Sequence, residues 1–120
     1  MKLRLEPNLL RLRLSAAEVA DFVRVGRVAH TQHFGPGTTP GQSFTYALEV
    51  WAGGLSGEEV GGSAAPMRLL AEAGRLVVQV SAGQAQAWAR GEQIDFKAQV
   101  DVGRGVVLRI IVEQDLGYQH

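Results

Sequence analysis

Four cations alternate with leucines near the start of the chain, Lys2 and Arg4 in one short run and Arg11 and Arg13 in the next. Successive side chains on a strand point to opposite faces, so each run puts its leucines on one side and its cations on the other. A hairpin joining the runs sets the four cations side by side, where like charges repel unless acids, solvent or a bound anion intervene. Arg109, Lys97 and Arg68 add to the set from later segments, and Glu49, Asp95, Glu113 and Gln79 are the polar residues able to answer them. If Lys2, Arg4, Arg11, Arg13 and Arg109 line a concave face, guanidinium forks can clamp phosphate or carboxylate. If Glu49, Asp95 and Glu113 join them, the same site gains ligands for a divalent metal and a route to phosphate hydrolysis. The plainer expectation, and the leading one, is a solvated or subunit-facing sheet surface.

Other residues of chemical interest are better explained by structure. His30 and His33 are three apart, which on a strand turns them to opposite faces. The only other histidine is His120 and there is no cysteine, so a zinc site lacks ligands. Gly35-Pro36-Gly37-Thr38-Thr39-Pro40-Gly41 has glycines but no Lys-Ser/Thr ending and no strand-to-helix setting, so it reads as a surface turn and not a phosphate loop. Ser15 and Ser81 are helix caps, and no serine lies in a nucleophile elbow or at a recognisable spacing from a histidine. Phe22 and Trp88 belong to helix stripes, as core anchors and not as platforms for bases. Trp51 closes a strand out of phase with Tyr46, Leu48 and Val50, which turns it outward as a candidate subunit contact.

Composition narrows the classes further. A chain of 120 residues, 46% hydrophobic and 20% charged, has the make-up of one folded domain able to build a core without staples. Twelve basic and twelve acidic residues cancel, which removes the overall footprint of a dedicated nucleic-acid or membrane-surface binder. The absence of cysteine excludes disulfides, thiol catalysis and thiolate metal sites, and fits a reducing cytoplasm. No apolar run approaches the length of a membrane span or a signal core, and no cofactor motif is present.

The elements that must position the cations occur twice. Residues 1–34 align without a gap on residues 67–100, with seven identities, among them Leu3/Leu69, Ser15/Ser81 and Arg24/Arg90. After a shorter loop in the second copy the pairing resumes at an offset of 62, with Tyr46 against Leu108 and Leu48 against Ile110. Each copy reads as a hairpin, a short helix opened by Ser15 with Glu18 or Ser81 with Gln84, and two more strands. The helix stripes are Ala16, Val19, Phe22 and Val23 in one copy and Ala82, Ala85, Trp88 and Ala89 in the other. Residues 53–66 are glycine-rich and have neither period, which makes them a linker between repeats 1–52 and 67–114 of a single domain. The expected fold class is α+β: a duplicated strand-strand-helix-strand-strand unit of eight mostly antiparallel strands and two short helices. Without long crossovers those strands should form a pseudo-two-fold barrel or curled sheet, or failing that an open two-layer sheet.

The opening Met1-Lys2-Leu3-Arg4-Leu5, the run Leu10-Arg11-Leu12-Arg13-Leu14-Ser15, Glu18-Val19, Phe34-Gly35-Pro36-Gly37, Tyr46-Ala47-Leu48 and Ala87-Trp88-Ala89 together resemble a family of small bacterial proteins of unknown function. The likeness covers most of the chain and implies no activity. Read from the second strand, the element order also looks like the repeat of the CYTH-like triphosphate tunnel barrels, which implies a charged lumen binding triphosphate with a divalent metal. Where those barrels carry alternating acids on the first strand, this chain has Lys2 and Arg4. Three functions remain: a non-enzymatic binding or assembly module, which is favoured; a phosphohydrolase or polyphosphate- or nucleotide-binding barrel using the cations and acids above; and a DNA-binding barrel, since residues 1–27 carry six cations against three acids. A small anionic ligand and a homodimer are the partners this allows.

Overall fold

The computed structural model describes residues 1–35, 41–51, 67–91 and 95–115. The proposed linker at 53–66, most of the Gly35–Gly41 turn, the start of the strand expected at Gln93, and His120 lie outside the described residues.

Alternation makes the strands. β1 (Lys2–Glu6) and β2 (Leu9–Leu14) form a hairpin, as do β5 (Met67–Glu72) and β6 (Arg75–Val80). Both turns place a residue of positive φ just before the return strand: Asn8 at 58° after Pro7, and Gly74 at 74°. That backbone region excludes most side chains and is tolerated by asparagine and glycine, the pattern of a type II turn. β3 (Arg27–His33) pairs with β4 (Ser43–Val50), and β7 (Asp95–Gly103) with β8 (Val106–Gln114).

The helices follow from their caps. In α1 (Ala16–Val25) the Ser15 hydroxyl accepts the Glu18 amide at 3.2 Å and Glu18 Oε1 accepts the Ser15 amide at 2.9 Å, closing a capping box. In α2 (Ala82–Ala89) the Ser81 hydroxyl accepts the Gln84 amide at 3.3 Å. Gly26, at φ 89°, ends α1 by donating its amide to the Phe22 carbonyl. The buried stripe is narrower than the sequence suggests: Val19, Phe22, Ala85 and Trp88 are buried, while Ala16, Val23 and Ala82 are exposed. Each of the two described helices lays one or two residues per turn against the core.

The eight described strands form two four-stranded sheets, ordered β1-β2-β8-β7 and β3-β4-β6-β5, and not a closed barrel. The CYTH-like tunnel expected from element order is therefore not the arrangement found. Element order is preserved, but each hairpin of one half pairs with a hairpin of the other. Four ladders are antiparallel, while β2–β8 and β4–β6 are parallel. The long return that parallel pairing requires is supplied by intervening elements of the same fold, β5 between β4 and β6, and α1 through β7 between β2 and β8.

Strand pairing also gives the correspondence between halves. Leu12 lies beside Val112 as Val78 lies beside Leu48, so Leu48 and Val112 hold like places, at an offset of 64. Glu49 faces Arg27 as Glu113 faces Asp95, so Arg27 and Asp95 correspond at an offset of 68. The sequence alignment set Leu48 against Ile110 and continued the offset of 66 through β3. Two additional residues after α2 shift that register, and an even shift keeps every apolar residue on its face.

Between the sheets, Leu10, Leu12, Leu14, Leu48, Val78, Val80, Ile110 and Val112 meet the two helices in one buried cluster. Phe22 and Trp88 touch edge to face at 5.9 Å between ring centres, and Trp88 lies 4.9 Å from Phe96. No described polar or charged residue is buried. Among the described residues the interior is thus apolar packing, not a charged lumen.

Candidate functional site

The parity that sends Leu3, Leu10, Leu12, Ile110, Val112 and Phe96 inward sends their neighbours outward. Register then fixes a grid on the outer face of the first sheet. One rung runs Lys2, Arg13, Glu113, Asp95; the next Arg4, Arg11, Ile111, Lys97; the next Glu6, Leu9, Arg109, Gln99. The five cations singled out from the sequence, Lys2, Arg4, Arg11, Arg13 and Arg109, all share this face, joined by Lys97. They line the outside of the sheet and not a cavity.

The like charges are only partly answered. Glu113 Oε2 lies 2.9 Å from an Arg13 terminal nitrogen and 3.7 Å from Arg11 Nε. Arg11 Nε is closed to solvent and has no hydrogen-bond partner. Arg4 Nε is 3.5 Å from Glu6, and Lys97 Nζ is 4.0 Å from Asp95. Arg4 and Lys97 remain about two-thirds exposed, at 65% and 68%, so these contacts hold them loosely.

The candidate metal acids do not assemble. Asp95 and Glu113 are neighbours on the first sheet, but Glu49 is on the outer face of the second, where it accepts Arg27 Nε at 3.3 Å and Gln79 Nε2 at 2.8 Å. No group of three or more His, Asp or Glu side chains able to hold a metal occurs among the described residues. The cations of residues 1–27 scatter too: Arg24 pairs with Asp21 on α1, and Arg27 belongs to the second sheet. Trp51 does turn outward, yet it is half-buried, with the Arg68 guanidinium stacked 4.0 Å over its ring.

A second cluster was not legible in the sequence. At the seam where β1 approaches β3 and β4, the Met1 ammonium pairs with Glu18 Oε2, and His30 Nε2 lies 3.1 Å from the same oxygen. Tyr46 donates its hydroxyl to the Met1 carbonyl at 3.1 Å, and its ring stacks on His30 at 5.9 Å and on Phe44 at 6.3 Å. Burial acts to raise the Glu18 pKa, but hydrogen bonds from the ammonium and from Ser15, with the ammonium's charge, outweigh it and lower the pKa to about 2. The same carboxylate is the cap of α1, and that local role masked the long-range one. The available signal was the unlike pair Glu18/Gln84 at otherwise matching helix starts.

No described helix is long and apolar enough to cross a membrane. Neither a curated protein nor a solved structure matches the chain. Residues 1–118 match the family of unknown function DUF7009, and the chain belongs to that family.

Proposed function

We propose that this protein is a non-enzymatic binding module that docks an anionic partner on the outer face of its first sheet. The observation that carries this reading is the grid itself: in a chain of zero net charge, six cations share one sheet face with Glu6, Asp95, Asp101 and Glu113. Paired guanidinium groups at fixed spacing offer bidentate contacts that a scattered surface charge does not. Phosphate chemistry with a metal has less support, because Glu49 is on the other sheet from Asp95 and Glu113. The reading goes with a bacterial, cytoplasmic setting, which the lack of cysteine favours. It also takes the two halves, 1–52 and 67–114, as a tandem duplication, so that a chain split between the halves should reassemble when the pieces are mixed.

A thermal-shift panel of polycarboxylates, phosphates and nucleotides tests the docking surface. An anion bound only by the folded state raises the melting temperature as its concentration passes the dissociation constant. Replacing Arg11 and Arg13 together by Gln should abolish the shift with the fold intact, since neither belongs to the core. No shift with any anion at millimolar concentration would return these residues to a merely solvated surface.

A further inference from the structure

Resting on that reading, we propose that the partner is an extended acidic peptide segment lying along β1 and β2, with Asp or Glu at alternate positions. The cations stand in rungs, Lys2 with Arg13 and then Arg4 with Arg11, and the third rung carries Glu6 and Leu9 on β1 and β2 with Arg109 beside them on β8. Rungs on one face of a strand repeat about every 6.6 Å, two residues of rise. Side chains leave a sheet roughly perpendicular to it, so successive rungs line a track along the strands, and neighbouring cation rungs come together where Arg11 and Arg13 share Glu113. An extended peptide has the same two-residue repeat, so every second carboxylate meets the next rung.

The face already holds one carboxylate against its guanidinium groups. Glu113, one strand over, serves Arg13 at 2.9 Å but reaches Arg11 only at 3.7 Å, so one carboxylate is shared by two guanidinium groups. The remaining N–H groups of Arg11 and those of Arg4 have capacity for more. The described grid positions hold no aromatic ring, so nothing on this face offers the stacking that single-stranded nucleic acid uses.

The test is fluorescence anisotropy with labelled peptides on the full chain. One peptide alternates Glu with Thr; a second has the same composition with its Glu residues in one block; tripolyphosphate and single-stranded DNA compete. The alternating peptide should bind at least about ten-fold more tightly than the block isomer, and its affinity should fall steeply with salt. R4Q/R11Q should lose about ten-fold or more, while R27Q/R75Q, on the outer face of the second sheet, should bind as wild type. Thermal melts of both double variants confirm that the fold persists. Equal binding of the two peptides, or tighter binding of tripolyphosphate or DNA, overturns the peptide track and leaves the anionic surface standing. Binding of none of the four removes the anionic surface itself.

Discussion

At the β1–β3 seam Glu18, His30, Tyr46 and the Met1 ammonium meet, whereas at the β5–β7 seam the corresponding positions are Gln84, Ala98, Ile110 and Met67. Ile110 and Met67 are almost fully buried, at 0% and 1% exposure, and Trp88 and Phe96 pack nearby in the same core. One half of the molecule thus closes with apolar surface and the other with an ion pair, a ring stack and a hydroxyl. Because the second half adopts like strand pairing without these polar groups, the backbone arrangement does not demand them. They hold one seam by contacts that depend on charge, where the other has Met67 and Ile110 packed in the apolar core.

The largest effect should come from what both seams share. Replacing Phe22 or Trp88 by alanine opens a cavity between the sheets and should cost about 3–5 kcal/mol each in urea unfolding. A loss confined to one of the two would show that the halves contribute unequally to the core. Next is the seam itself: Glu18→Ala removes a cap and an ionic partner and should cost about 1–2 kcal/mol, while Gln84→Ala should stay within about 0.5 kcal/mol. Equal losses would reduce Glu18 to a cap.

Acid should separate the seams in the same order. Glu18 has a folded pKa of about 2 against an ordinary value of 4.5, so its contribution is fully present above pH 4.5 and is lost as pH falls toward 2. The stability difference between wild type and Glu18→Gln should therefore shrink through that window. A constant difference would place the carboxylate outside the seam's electrostatics. Smaller again is Tyr46→Phe, which deletes only the hydroxyl donated to the Met1 carbonyl, at about 0.5–1.5 kcal/mol. Smallest is Arg11→Gln with Arg13→Gln, which removes part-buried pairs with Glu113 but nothing of the core, at about 0.2–1 kcal/mol, and so separates binding from folding.

Much of this architecture is legible in residue order. Alternation around Leu10-Arg11-Leu12-Arg13-Leu14 yields a strand and its faces, Ser15 and Ser81 mark both helix starts, and Phe22 and Trp88 identify their buried sides. The five cations belong to one surface, as the alternation of their strands suggests. What is not legible is partnership. Nothing local to Glu49 says that it lies across the molecule from Asp95 and Glu113, because pairing depends on which hairpin meets which. The even shift between Leu48/Ile110 and Leu48/Val112 is invisible for a similar reason, since period-two patterning is blind to a slip of two.

The sequence by itself determined which face of each cation-bearing strand turns inward, and on the helices it marked Val19, Phe22, Ala85 and Trp88 as buried while also counting Ala16, Val23 and Ala82, which are exposed. Local sterics and the strand and helix periods act within a few residues, and that range is enough to separate core from surface. The tertiary structure decided that the hairpins exchange between halves, that two sheets replace a barrel, and that a helix-capping glutamate also clasps a strand. Those outcomes depend on contacts between residues far apart in the chain, where closure entropy and packing of the whole set choose among pairings that the local pattern leaves equivalent.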